Sequence, residues 1–167
     1  MVLRTEFLTA EAFASFGDVI LAPSEPGRSA PSTAVGPVAE GLAAMLTTSH
    51  ALPSAEPITV SEMEVHPRSS QSFIPLDVGR WLAIVAPGLT SEAEPSVGGP
   101  DMSKVRVFVV GPGVGVTYRA GVWHHGLTVL DRPGRFAVMM WREPSDAAES
   151  HQSDTIFCAV DPVAVRP

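Results

Sequence analysis

The chain has 167 residues, 45 % of them apolar, which is enough for a single domain with a sizeable core. Eleven basic against eighteen acidic residues leave a net charge of −7 with no Lys/Arg cluster, which excludes a phosphate-backbone partner and hence nucleic acid. No apolar run approaches the ~20 residues of a membrane span, and no basic-then-apolar export pattern opens the chain, so a soluble, cytoplasmic protein is expected.

Thr9 is placed to cap a short helix running to Phe16, with Glu11 in its first turn and Gly17 available to end it in a left-handed conformation. Residues 23–37 are rich in Pro, Ser, Gly and Ala and read as an irregular arm. From residue 42 onward the pattern is β, with short runs at 42–50, 57–66, 71–76, 80–86, 104–110, 114–118, 125–130, 135–142 and 155–160. Sixteen prolines and fourteen glycines punctuate them, which argues against a helical bundle and for a closed barrel or double-sheet jelly roll. Residues 88–103, with Pro95, Gly98, Gly99 and Pro100, read as a surface loop or lid within the same domain. The single cysteine, Cys158, excludes an internal disulfide and, in an apolar run, reads as a buried thiol.

Chemistry-bearing residues concentrate in two stretches. Alternation in a strand puts Glu62, Glu64 and His66 on one face and Met63 and Val65 on the other. Parity alone leaves two readings open, a solvated polar face or a lined pocket. The second stretch is Gly115-Val116-Thr117-Tyr118-Arg119-Ala120-Gly121-Val122-Trp123-His124-His125. If the chain is extended from His124 to Leu130, His124 shares a face with Gly126 and Thr128, as a pocket residue would. His125 then joins Leu127 and Val129, as a hydrogen-bonded structural histidine or a subunit contact would. Tyr118, Trp123, Trp81 and Trp141 read as packing aromatics, and His50 and His151 as solvent-exposed.

The order Glu64-x-His66-x4-Gln71 followed by Arg119-x-Gly121-x-x-His124 resembles the two signature motifs of the cupins, whose ligands hold a metal inside a barrel. A closer resemblance is to the ureidoglycolate lyase family, formerly called hydrolase. It rests on Phe13-Ala14-Ser15-Phe16-Gly17-Asp18-Val19-Ile20, Glu64-x-His66-Pro67, Gln71-x-Phe73-Ile74-Pro75 and Gly115-Val116-x-Tyr118 leading to Gly121-Val122-Trp123-His124-His125. The chain departs from that family's pattern at Arg119, where a histidine is usual, at Trp141-Arg142, where Asp-Arg is usual, and in 28–36, which holds no Asn.

The resemblance implies an all-β, cupin-like jelly-roll barrel with a short N-terminal helix. It also implies release of urea and glyoxylate from ureidoglycolate, a carbon–nitrogen lyase reaction of purine and allantoin breakdown, while the apolar fraction of 45 % leaves room for a buried contact and a homodimer is expected. That reaction needs a base for the substrate hydroxyl, an acid for the departing nitrogen and a cation for the carboxylate. Glu64 or His66 is the candidate base and His124 the candidate acid. Arg142 or Arg119 is the candidate carboxylate clamp, with Gln71 and Tyr118 as further substrate contacts. Glu64, His66, Gln71 and His124 also form a mixed N/O set for a divalent Ni, Mn, Fe or Zn ion, with no organic cofactor implied. Two rivals remain at this point: a non-catalytic cupin that binds a small acid or sugar, and a metal-dependent cupin isomerase or dioxygenase.

Overall fold

The computed structural model describes residues 2–30, 34–89, 98–144 and 154–167. Twelve strands and one short helix appear among them, in the order β1 (Val2–Phe7), α1 (Ala10–Phe13), β2 (Gly17–Ile20), β3 (Ala43–Ala51), β4 (Ile58–Val65), β5 (Gln71–Asp77), β6 (Trp81–Ala86), β7 (Arg106–Val110), β8 (Gly115–Tyr118), β9 (Trp123–His124), β10 (Thr128–Val129), β11 (Gly134–Arg142) and β12 (Ile156–Arg166). The first sheet runs β10-β6-β7-β1-β12-β4-β9, and because β9 also pairs with β6, six of its strands close into a barrel. The second is an open sheet, β2-β8-β5-β11-β3.

Two apolar clusters follow from this arrangement. Leu3, Ile58, Val60, Met63, Val65, Leu82, Ile84, Val107, Trp123 and Val165 fill the barrel. Phe13, Phe16, Phe73, Trp81, Val85, Phe108, Val116, Tyr118, Phe136 and Val138 form the layer between barrel and open sheet. β6 belongs to both, Leu82 and Ile84 facing one and Trp81 and Val85 the other, which is why all six of its residues are buried and its sequence runs apolar without alternation. Each fully buried large side chain there contributes roughly 1.5–3 kcal/mol relative to exposure.

The N-terminal third departs from the sequence reading. Thr9 does cap the helix, its hydroxyl accepting from Ala12 N–H at 3.1 Å, but the helix stops at Phe13, whose ring packs edge-on to Phe108 at 5.5 Å. Gly17 is not a helix stop. It opens β2 opposite Tyr118, where a Cβ would lie 1.7 Å from the Thr117 carbonyl oxygen, so the glycine is required by backbone approach. Strands β1 and β2 were absent from the sequence reading, and β12 runs six residues past the expected end at Val160 to Arg166. The run 125–130 is not one strand: pairing with β6 breaks after His124 and resumes at Thr128.

Residues 23–30 and 34–36 are irregular. The 88–103 loop contains a 3₁₀ turn at Met102–Lys104 and a bridge between Gly88 and Pro100. His151, most of that loop's centre (90–97) and residues 31–33 of the arm lie outside the described residues. No helix among the described residues is long and apolar enough to cross a membrane.

Candidate active site

Both chemistry-bearing stretches are crossovers between the sheets. β4 ends in the barrel and β5 begins in the open sheet; β8 ends in the open sheet and β9 begins in the barrel. The second crossover turns at Gly121, which holds φ +81° and whose N–H donates to the His66 carbonyl at 3.0 Å, tying the two crossovers together. Glu64 then pairs directly with His124 across β4 and β9, and Gln71 with Tyr118 across β5 and β8. Glu64, His66, Gln71 and His124 therefore meet where the open sheet covers the outer face of the barrel.

A cavity of about 330 Å³ opens at this point. Its floor is the inner face of the open sheet, with Met45, Thr47 and Ser49 from β3 and Val138, Met140 and Arg142 from β11; Glu64, Gln71, Phe73 and Leu127 complete the wall. His66 and His124, 3 % and 1 % exposed, are buried and do not line it. His124 Nε2 lies 2.9 Å from Gln71 Oε1 and 3.3 Å from Glu64 Oε1. The ring of Tyr118 stacks on that of His124 at 4.4 Å, and His66 lies 5.3 Å away.

Hydrogen accounting fixes which nitrogens are available. His124 Nδ1 is 3.0 Å from the Val122 carbonyl and must donate to it. A neutral ring would then turn the Nε2 lone pair toward two oxygens, an arrangement relieved by a proton on Nε2, by a cation between them, or by turning the Gln71 amide end for end. His66 Nδ1 faces the Asp154 carbonyl at 3.4 Å and Thr155 Oγ1 at 3.1 Å. His66 Nε2 is buried with no hydrogen-bond partner. A proton there would be an orphaned buried donor, so the ring carries its proton on Nδ1 and presents a bare lone pair at Nε2.

Burial pushes the His66 imidazole down to about 4, reinforced by the charge of His124 and opposed by Glu64. Burial also acts to raise Glu64, but its hydrogen bond to His124 and the charges of His124, His66 and His125 outweigh it and hold the carboxyl below its usual range. Burial, then the Glu64 charge, pushes the Tyr118 phenol far above its ordinary value, so it stays protonated.

Glu64, His66 and His124 each offer a ligand atom, all within 4.8 Å of one another, and make a group able to hold a metal ion. The donor set fits. Each histidine ties Nδ1 to a backbone carbonyl, the outer-shell pattern that orients metal-binding imidazoles, and His124 Nε2 faces the carboxylate. Gln71 adds a neutral amide oxygen.

Not every residue singled out from the sequence arrives here. Arg142 lines the cavity, its Nε 3.1 Å from Met140 Sδ. Arg119 does not: it is exposed, donates to the Ala14 carbonyl and lies 4.0 Å from Asp18. Tyr118 is 2 % exposed and also packs on Phe13 and Phe73. His125 is half-buried, with Nδ1 3.0 Å from Thr128 Oγ1. His50 is exposed, Trp81 is core, Trp141 is half-buried on the outer face of the open sheet, and Cys158 is half-buried rather than fully enclosed. Asp154 and Thr155, which hold His66, and Thr47 and Ser49 on the floor were missed. Residues 43–51 carry no apolar/polar alternation that would set the floor apart, and nothing local marks 154–155.

A barrel faced by a second sheet, with two imidazoles and a carboxylate at the crossovers, is a cupin-like fold with a metal-competent site. Residues 1–161 match the ureidoglycolate lyase family, and the chain belongs to that family. It is 38 % identical to a putative ureidoglycolate lyase of Agrobacterium fabrum over 81 % of this chain and 80 % of that protein. It is 36 % identical to the ureidoglycolate lyase of Burkholderia cepacia (83 % and 78 % covered) and 32 % identical to ureidoglycolate lyase 1 of Rhizobium meliloti (96 % and 95 %). Among solved structures, a dTDP sugar isomerase from Desulfovibrio desulfuricans aligns at 17 % identity and TM-score 0.48, covering 87 % of this chain and 83 % of its own.

Proposed function

We propose that the protein cleaves ureidoglycolate to glyoxylate and urea, as an amidine-type carbon–nitrogen lyase of allantoin and purine breakdown in the cytoplasm. The observation that carries this reading is the convergence of Glu64, Gln71 and Arg142 on one cavity, with His124 against Glu64 and Gln71 and His66 beside His124. At about 330 Å³ the cavity suits a small acid.

Arg142 receives the substrate carboxylate in a two-pronged hydrogen bond. Glu64, kept ionised by its neighbours, takes the hydroxyl proton as the carbonyl of glyoxylate forms. His66, with its bare Nε2, is the alternative base for the same proton. His124 delivers a proton from Nε2 to the ureido nitrogen as the C–N bond breaks, and Gln71 fixes that ring's orientation. Tyr118 acts as the platform under His124 rather than as a proton donor. A divalent ion held by Glu64, His66 and His124, with Gln71 as a neutral fourth ligand, would make the hydroxyl more acidic; His124 Nε2 would then be a ligand without a proton, so proton delivery by His124 belongs to the metal-free site. The apolar outer face of the open sheet, with Leu46 and Leu76 70 % and 61 % exposed, supports a homodimer.

The test is incubation of pure protein with ureidoglycolate, before and after chelation and metal restoration, with glyoxylate and urea assayed separately. Equal release of the two supports the reading; binding without release of either refutes it.

A further inference from the structure

Glu64 and Leu127 belong to two cavities, not one. They also wall a second hollow of about 270 Å³, which Arg142 does not line, completed by Glu62, Met63, His125, Gly126 and Phe157. Resting on the proposed reaction, we infer that this hollow is the ureido subsite, with the Glu62 carboxylate and His125 Nε2 as acceptors for the terminal N–H groups of the substrate.

Three observations carry it. First, no lysine or arginine lines the hollow, whereas two carboxylates do, so it repels an anion and suits a neutral group rich in N–H donors. The first cavity sets Arg142 against Glu64 and so offers a cation for one carboxylate.

Second, the hydrogen bonds in the 125–128 turn leave His125 as an acceptor on this side. Thr128 Oγ1 donates to the Gly126 carbonyl at 3.1 Å, so its hydrogen is committed. His125 Nδ1, 3.0 Å from that hydroxyl oxygen and 3.1 Å from the same carbonyl, must therefore carry the proton and donate. Nε2 is then a lone pair.

Third, Glu62 and Glu64 are two apart on β4, so the acceptor that would hold the ureido tail stands beside the carboxylate assigned to the hydroxyl. A substrate lying across Glu64 places its carboxylate at Arg142 and its urea end at Glu62, which fixes its direction in the site.

The probes are N-carbamoylglycine, which is ureidoglycolate without its hydroxyl, and N-acetylglycine, which replaces the terminal NH₂ with a methyl of similar size. In calorimetric titration the wild type should bind the carbamoyl compound about tenfold more tightly, the worth of one charge-assisted hydrogen bond in a half-open site. Glu62→Ala, on an exposed strand position, should reduce that ratio to near one while leaving N-acetylglycine affinity and the melting temperature unchanged. Glu62→Gln, which keeps one acceptor oxygen, should fall between. Arg142→Met should weaken both compounds alike. Equal binding of the two by the wild type, or a ratio that survives Glu62→Ala, overturns the subsite while leaving the reaction standing. Absence of turnover together with a preserved, Glu62-dependent ratio overturns the reaction instead.

Discussion

The buried histidine at position 66 predicts an acid sensitivity of fold stability that one substitution should remove. In the unfolded chain its imidazole titrates near 6.5, and in the native site near 4. Between those values the unfolded state takes up a proton that the native state refuses, so stability falls as pH falls through this window and is unaffected above it. From pH 7 to pH 4.5 the loss is about 2–3 kcal/mol. Glu64 acts in the same direction in a different window: its lowered carboxyl stabilises the fold above the ordinary value of 4.5, and this is lost only at lower pH. Urea unfolding in chelator at half-unit steps should therefore show the wild-type midpoint falling by ~1–2 M between pH 7 and 4.5. His66→Gln, which cannot titrate, should keep most of its midpoint across that range, even if it starts lower at pH 7. Parallel slopes for the two proteins would show that the Nδ1-protonated, Nε2-bare assignment of His66 is wrong.

Three further outcomes follow from particular contacts. His124→Asn should cut turnover of ureidoglycolate by ~100-fold or more with little change in melting temperature; full activity in the variant would remove the ring from proton transfer. Gln71→Glu places a second carboxylate against His124 and should tighten binding of added divalent ion by roughly tenfold or more, while lowering stability in chelator; calorimetry showing unchanged affinity would mean that position 71 faces no cation. Gly17→Ala drives a methyl into the Thr117 carbonyl and should cost about 1–3 kcal/mol, read as a melting temperature several degrees lower; an unaltered melting curve would show that β2 and β8 separate freely.

What the sequence made legible was the β character, the middle strands and the identity of the convergent residues. What it hid was how a single strand is used on both faces. In β4, Met63 and Val65 fill the barrel, as a solvated-face reading expects, yet Glu64 is only half-buried and His66 almost wholly so, because the open sheet covers that end. Alternation reports which face is apolar; it does not report that the polar face is also covered. The same limit explains His124 and His125. Extending the strand to Leu130 put them on opposite faces of one element, but the backbone leaves β6 after His125, whose N–H still donates to Ile84, and a turn that satisfies its own donors re-aims the His125 ring. Strands β1 and β2 were missed because their partners among the described residues are distant: β1 pairs in parallel with β7 and β12, about a hundred and a hundred and sixty residues away, and no local turn announces such pairing. Arg119 was drawn to the site by its place in a motif, whereas the reversal of the chain at Gly121 leaves it pointing toward Ala14.

The crossovers explain why polar, metal-competent side chains sit in an otherwise apolar layer. Two sheets can share a core along their length, but a chain leaving one for the other must expose carbonyls and N–H groups at the crossing, and these need partners. Val122 and Asp154 supply the carbonyls that hold the two imidazoles, and the His66 carbonyl holds Gly121. Backbone polarity that would otherwise be a cost of switching sheets is thus what fixes the tautomers of His66 and His124. The aromatic layer then bears on that geometry directly, since Tyr118, wedged between Phe13, Phe73 and His124, sets how close the β8 crossover lies to β5. Packing in this layer and ring placement in the site are one mechanical unit, so a cavity opened beneath Tyr118 would move the His124 ring before it unfolded the barrel.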